Sequence, residues 1–136
     1  MPLLRAATLA DAPGVLALWR EAEAEPTHTD NLESVGQLLR RDPASLIVAE
    51  ANARIVGSVI AAWDGWRGSI YRLAVVPSHR RRGLGRQLVR AAEERLAVVG
   101  ASRFQAIVVE SDLPAAAFWR ASGWEEQTER LRFVKG

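Results

Sequence analysis

Cysteine is absent from this sequence of 136 residues, and histidine occurs only twice, as His28 and His79. Without cysteine there can be no disulfide, no thiolate nucleophile and no thiolate-bound metal. Two histidines so far apart in the sequence also disfavour a histidine metal cluster. We therefore expect chemistry that uses no metal.

Long hydrophobic runs are also missing. No apolar stretch reaches the roughly 20 residues that a membrane-spanning helix needs, and the N-terminus lacks the layout of a cleavable signal. Hydrophobic residues make up 49% of the chain and charged residues 25%, as in ordinary soluble proteins. These features predict a cytoplasmic protein with no membrane partner, folded as a single domain over residues 1–136.

The excess of basic charge is small, because 18 basic residues face 16 acidic ones and the net charge is only +2. The arginines are nevertheless concentrated in one place. Such a patch suits a phosphate-bearing small molecule or a nucleic-acid backbone. Because no aromatic residues are interleaved with these arginines, we expect the small molecule and no nucleic acid. The cluster consists of Arg80, Arg81, Arg82, Arg86 and Arg90.

The arginine cluster surrounds a glycine-containing turn between an apolar strand and an amphipathic helix. Gly83 and Gly85 have no Cβ atom that would keep a ligand away from the backbone. The unpaired N–H groups of the first helical turn and the positive end of the helix dipole both favour an anion. The turn has neither the Gly-Lys-Ser/Thr ending of a Walker loop nor the three glycines of a dinucleotide fingerprint. It predicts a pyrophosphate site.

Apolar periodicity and turn residues predict the element order βααβββαβαβ. This order is typical of the α/β class, with a mixed sheet, helices on both faces and a helical crossover between two parallel strands. The predicted strands are 3–7, 45–50, 54–63, 68–76 and 104–109, with one or two more in 124–134, and the predicted helices are 11 to about 25, 32–41, 84–99 and 113–122.

The pattern Arg80-x-x-Gly83-x-Gly85 resembles the acetyl-CoA pyrophosphate loop of the GNAT superfamily of N-acetyltransferases. The apolar lead-in Leu73–Pro77 and the order of elements are similar to that family nearly end to end. The resemblance implies a GNAT-like fold and transfer of an acetyl group from acetyl-CoA to an amine within a ternary complex. The acceptor would be a small amine, an amino acid or a protein N-terminus.

The resemblance also implies which residues hold acetyl-CoA. A β-bulge in the stretch Leu73 to Val75 would free strand backbone for the pantetheine and the acetyl carbonyl. Asp112 and Trp119 stand where the family's second signature has an asparagine and a tyrosine, so both are expected at the cofactor. The full expected set is Leu73, Ala74, Val75, Arg80, Arg81, Arg82, Gly83, Leu84, Gly85, Arg86, Asp112 and Trp119.

Catalytic groups are harder to assign, because the family's tyrosine is commonly its general acid and Trp119 has no proton to donate. Packing is the alternative role of Trp119. A serine, Ser69, stands where some members carry a catalytic glutamate. Glu110 is the best replacement base and Tyr71, the only phenol, is the candidate acid. The alternatives are a solvated strand-end carboxylate and a core aromatic residue.

By the same resemblance, His28, Asp30 and Asp64 lie where the family binds its acceptor, although each could serve only its own loop or turn. The glutamates at positions 21, 23 and 25 would attract a cationic amine, or form a solvated acidic face.

The departures from the family pattern also leave a non-catalytic CoA-binding module as an alternative function. A homodimer is one alternative for the oligomeric state, since the five tryptophans could supply an interface or serve the core.

Overall fold

The computed structural model describes residues 2–136, which form two compact units, one reaching Ala106 and the other spanning Ile107–Gly136. No helix in residues 2–136 has the length and apolar character needed to cross a membrane. The first unit contains β1 (Leu3–Ala6), α1 (Ala12–Glu21), α2 (Leu32–Arg41), β2 (Leu46–Ala51), β3 (Arg54–Trp63), β4 (Gly68–Val75), α3 (Leu84–Val98) and β5 (Phe104–Ala106), and the second contains α4 (Leu113–Ala121).

The five strands form one mixed sheet in the order β1-β2-β3-β4-β5. Neighbouring strands are antiparallel from β1 to β4, whereas β4 and β5 are parallel and are joined through α3. The predicted fold class is therefore confirmed, including the helical crossover that follows the arginine cluster.

Helices cover both faces of this sheet, as two adjacent residues of β3 demonstrate. Ser58 accepts a hydrogen bond from the indole N–H of Trp19 in α1. A Cβ atom added to Gly57 would lie 3.0 Å from Leu88 of α3. Because successive strand residues point to opposite faces, α1 and α3 lie on opposite sides of the sheet. The core on each side is built from fully buried aliphatic side chains, among them Leu18, Leu46, Leu88 and Leu96.

Helix α1 ends four residues before the predicted stop at Glu25, so that boundary was wrong. Glu23 adopts a left-handed backbone with φ of 59°. The Glu23 N–H donates to the Arg20 carbonyl at 3.1 Å, and the Ala24 N–H donates to the Trp19 carbonyl at 3.0 Å. These two bonds form a Schellman motif, which satisfies the last carbonyls and turns the chain away from the helix axis.

Two predicted strands differ from the structure. The strand predicted for 104–109 ends at Ala106, and Ile107 and Val109 are 57% and 47% exposed. No strand forms in the segment 124–134, although its composition favours one. Strand propensity measures how well a side chain fits a paired, half-buried surface, so it cannot create a strand where no partner strand is available.

An ion-pair cluster joins β1, β2 and the turn before α1. Arg5 donates to both carboxylate oxygens of Asp11, at 2.7 and 3.0 Å, and its Nε donates to Glu50 at 2.9 Å. The Arg5 guanidinium lowers the pKa of Asp11 from 3.8 to about 2, with a further contribution from the Thr8 N–H. A carboxyl whose pKa is lowered by folding stabilises the fold only while it is ionised.

We expect Asp11→Asn to lower the free energy of unfolding by about 1–2 kcal/mol at pH 7, a value reduced to allow for solvent screening. The contribution of Asp11 is complete above its unfolded pKa and disappears as the pH falls from about 4 to about 2. Urea unfolding at pH 7 and pH 2.5 measures it. A loss of equal size at both pH values would contradict this account.

Candidate functional site

The glycine turn has the geometry of an anion site. Gly83 caps α3 with a φ of 81°, which side-chain-bearing residues rarely adopt, and offers no side chain to the helix terminus. Counting from the start of α3, the first backbone N–H that finds an acceptor is that of Gln87, which donates to the Gly83 carbonyl at 3.0 Å. Within residues 2–136, the N–H groups of Leu84, Gly85 and Arg86 have no backbone or side-chain acceptor. Three donors therefore point out of the positive end of the helix.

The arginines of the turn divide into two kinds. Arg81, Arg82 and Arg86 are exposed and have no ion pair in the described part of the chain, so their charge is available to a ligand. Arg80 instead donates from Nε to the Val75 carbonyl at 3.0 Å and from Nη2 to the Ala22 carbonyl at 2.9 Å. Arg80 thus joins the end of β4 to the end of α1.

A cavity of about 340 Å³ opens beside the turn. Among residues 2–136, the side chains that line this cavity include Arg82 and no carboxylate, which suits an anion. The side chain of Leu84 is buried, which leaves only its backbone for a ligand at the helix terminus. The lining residues are Pro2, Ala51, Asn52, His79, Arg82, Leu84 and Gln87.

A β-bulge interrupts β4, as predicted, but it begins one residue earlier than expected. Ser58 of β3 pairs with Ala74 and Ile60 pairs with Tyr71, so β4 has one residue more than β3 between these pairs. The bulge comprises Arg72 and Leu73, and Arg72 has a φ of 52°. Such a backbone is unfavourable for a residue with a side chain, and it occurs at bulges and functional sites.

Within residues 2–106, β4 has no strand partner on one of its edges beyond the bulge, and we call this the open edge. Its pairing with β5 stops at Ile70 and Ala106. On the other edge, the Val76 N–H donates to the Val56 carbonyl of β3 at 3.0 Å. Because residues of an antiparallel strand alternate in which edge they address, the backbone of Ala74 faces β3 and the backbone of Val75 faces the open edge. The turn that follows β4 connects this strand to the anion site at the start of α3.

The bulge is fixed by a buried hydrogen-bond chain that sequence reasoning missed. The Ser58 hydroxyl donates to the Arg72 carbonyl at 2.8 Å and accepts from the Trp19 indole at 2.9 Å. Ser58 and Trp19 are both buried. A serine within the apolar run of β3 was the signal that could have pointed to this role, since buried polar groups are almost always bonded.

The expected acceptor-side residues mostly have partners of their own. Asp64 accepts from the N–H groups of Trp66 and Arg67 at 2.8 and 2.7 Å, and these bonds lower its pKa, so it serves the β3–β4 turn. Asp30 pairs with Arg72 at 2.6 Å, and Glu21 pairs with Arg54. The exposed residues Glu23, Glu25 and His28 have no ion pair within residues 2–136.

Tyr71 and Ser69 lie on β4 before the bulge. Tyr71 is 49% exposed, so it is not a core residue. The Ser69 hydroxyl accepts from the Gln105 amide at 3.1 Å, across the parallel pair of strands. Neither side chain is therefore taken up by the core.

The second unit contains the remaining predicted site residues. Asp112 caps α4 by accepting from the Ala115 N–H at 3.1 Å. Trp119 packs edge to face against Phe118 and Trp124, with ring centroids 5.7 and 4.7 Å away. Glu110 is exposed, in the loop before α4. Within this unit, Asp112 and Trp119 therefore have structural roles that do not depend on a ligand.

No group of three or more histidine, aspartate or glutamate side chains that could bind a metal occurs within residues 2–136.

Comparison with known proteins identifies the family. The family model for the acetyltransferase (GNAT) family matches residues 12–124. An acetyltransferase of Yersinia pestis is 32% identical over 117 residues, which are 86% of this chain and 83% of the relative. An acetyltransferase of Pectobacterium atrosepticum is 34% identical over 102 residues, 75% of this chain and 72% of its own length. The chain belongs to the GNAT family of acetyltransferases.

Solved structures share the fold at lower sequence identity. The aminoglycoside 6'-N-acetyltransferase AAC(6')-Ig of Acinetobacter haemolyticus is 20% identical with a TM-score of 0.79, covering 98% of each chain. The enzyme AAC(6')-Iy, solved with the bisubstrate analogue CoA-S-monomethyl-acetylneamine, is also 20% identical, with a TM-score of 0.78 and coverage of 100% of this chain and 98% of its own. The GNAT fold predicted from the glycine turn is therefore confirmed.

We expect Ser58→Ala to lower the free energy of unfolding by about 2–4 kcal/mol, because it leaves both the Arg72 carbonyl and the Trp19 N–H without a partner. Urea unfolding measures the loss. Ser69→Ala removes a hydroxyl bonded at an exposed position and is the control, with an expected loss below about 0.5 kcal/mol. Equal effects of the two substitutions would show that the Ser58 chain does not support the bulge.

Proposed function

We propose that this acetyltransferase uses acetyl-CoA to acetylate an amine, which attacks the thioester directly while both substrates are bound. The observation that carries the proposal is the continuity of two features. The open edge of β4 at Val75 and the unpartnered N–H groups at the start of α3 are connected by a single turn, residues 76–83. An elongated molecule with amide-like groups along one part and a pyrophosphate at its end would satisfy both.

The pyrophosphate would bind the N–H groups of residues 84–86, with Arg81, Arg82 and Arg86 supplying charge and forked hydrogen bonds. The pantetheine would extend along Leu73, Ala74 and Val75, where the Val75 N–H is directed away from β3 and the Val75 carbonyl already accepts from Arg80. Arg80 would reach the phosphates only with the donors that its two carbonyl bonds leave over. The CoA bisubstrate complex of AAC(6')-Iy, a protein of the same fold, supports this choice of substrate.

In the proposed reaction, the neutral amine forms a bond to the thioester carbonyl carbon, the carbon–sulfur bond breaks and CoA leaves as a thiolate. The amine nitrogen loses a proton, for which Glu110 is the proposed base, and Tyr71 is the proposed acid that protonates the thiolate. Holding the amine about 3 Å from the carbonyl carbon, with N–H groups at its oxygen, can provide most of the acceleration. Acid and base would add roughly 100-fold to 10,000-fold.

The acceptor would be a small amine, an amino acid or a protein N-terminus. Glu23 and Glu25 would provide negative charge for an ammonium group, because Glu21 and Asp30 are already neutralised by arginines.

A CoA-binding module without turnover is the second candidate. It is favoured by Trp119, which replaces the family's phenol and packs against Phe118 and Trp124. Tight acetyl-CoA binding without transfer to any amine would support this alternative.

We expect excess acetyl-CoA to raise the midpoint of thermal unfolding, since a ligand at about 100 times its dissociation constant adds roughly 2.7 kcal/mol of stability. Gly85→Glu should abolish this rise by placing a carboxylate at the anion site. Val98→Glu adds the same side chain at an exposed position in the last turn of α3 and should leave the rise intact. ATP is the anion control, and an equal rise with ATP would contradict the proposal.

We expect Glu110→Gln to lower kcat at least tenfold while the dissociation constant of acetyl-CoA stays within about threefold, because a base acts on the amine and not on the cofactor. Thiol release with neamine, free amino acids and short peptides as acceptors measures turnover. Glu125→Gln alters an exposed carboxylate in the same unit and is the control. Unchanged turnover would remove Glu110 from the mechanism.

A further inference from the structure

Arg72 is the residue of the bulge whose role the proposed reaction leaves unexplained. Its left-handed backbone is unfavourable, and such a conformation persists only when its surroundings hold it. The Arg72 carbonyl is held by Ser58 at 2.8 Å. This accounts for the backbone of the bulge, but not for an arginine side chain at this position.

The side chain of Arg72 reaches the loop between α1 and α2. Its Nη2 donates to Asp30 at 2.6 Å and to the Thr27 hydroxyl at 3.3 Å. The guanidinium carbon also lies 5.2 Å from the centre of the Trp19 ring, within the range of a cation–π contact. Because the Arg72 and Asp30 side chains are only 16% and 19% exposed, this ion pair is less screened than a surface pair.

The loop is closed around the same carboxylate. Asp30 accepts from the Thr27 N–H at 3.0 Å and from the Thr27 hydroxyl at 3.1 Å. At the other end of the connection, Ala22 is held by Arg80, which also bonds to Val75. The segment 22–30 is therefore attached at both ends to arginines of β4 and its following turn, while Glu23, Glu25 and His28 between the attachments remain exposed.

We propose that Arg72 is a positioning residue that couples β4 to the segment 22–30. Acetyl-CoA bound along the strand would then order this segment, which carries the glutamates proposed to attract the amine. This role rests on the proposed function. Its physical basis is that one residue supplies both the bulge next to the open edge and the ion pair that holds the segment. A ligand that orders the strand lowers the mobility of Arg72, and through Asp30 that of the segment.

Amide hydrogen exchange with and without acetyl-CoA tests the coupling without requiring a known acceptor. In the unmodified protein, acetyl-CoA should slow exchange at least about fivefold in both 72–75 and 23–31. Arg72→Lys keeps the charge but removes the planar guanidinium, whose Nη2 bonds to both Asp30 and Thr27 and which lies beside the Trp19 ring. Asp30→Asn removes the ion pair while leaving the bulge intact. In each variant, 72–75 should remain protected and protection of 23–31 should fall below about twofold.

Arg54→Lys is the matched control, since Arg54 forms an exposed ion pair with Glu21 on the same helix that precedes the segment. Arg54→Lys should leave the slowing of exchange by acetyl-CoA unchanged in both 72–75 and 23–31. All three variants should bind acetyl-CoA within about threefold of the unmodified protein. Should Arg72→Lys fail to fold, Asp30→Asn decides the matter. Retained protection of 23–31 in Asp30→Asn, or protection confined to 72–75 in the unmodified protein, would overturn the coupling. Absence of any acetyl-CoA effect on thermal unfolding would overturn the proposed function itself, and the coupling with it.

Discussion

The hydrogen bond from Ser58 to the Arg72 carbonyl is the interaction on which the candidate site depends. A strand paired normally along its length would continue the alternation of its backbone groups without interruption. The extra residue in β4 changes that alternation just before Val75. An Arg72 carbonyl without a hydrogen-bond partner would lower the stability of the fold. The bulge is tolerated because Ser58 lies opposite it on β3 and is itself oriented by Trp19.

The same residues link the three elements that surround the bulge. Trp19 comes from α1, Ser58 from β3 and Arg72 from β4. Arg80 adds a second link between α1 and β4 through carbonyl bonds to Ala22 and Val75. Polar groups that lie between apolar layers thus hold the bulge in place, while the apolar layers supply most of the stability of the fold.

Much of the fold could be predicted because it depends on local patterns. The strand, turn and helix around Gly83 carry their signals within one continuous stretch of chain, residues 68–98, and the order of elements follows from periodicity. The end of α1 could not be predicted, because Glu23 has no side-chain feature that announces a left-handed backbone. The segment 124–134 has the composition of a strand, but pairing depends on a partner that composition does not reveal. The role of Arg72 depends on the register of two strands and on a loop 42 residues away in sequence.

Two glycines of the sheet determine the direction of α3. Leu88 lies over Gly57 and Leu96 lies over Gly68, so closely that a Cβ atom at Gly68 would come within 2.7 Å of Leu96. These two close contacts, at Leu88 and Leu96, are about two helical turns apart and fix the direction of the helix axis. They therefore also fix the direction in which the N-terminal N–H groups point. A larger residue at Gly68 would collide with the Leu96 side chain, and where that side chain cannot move aside, this end of α3 would be lifted away from the sheet. The amides at Leu84, about 18 Å along the axis from Leu96, would be turned away from the end of β4 without any change to their own sequence.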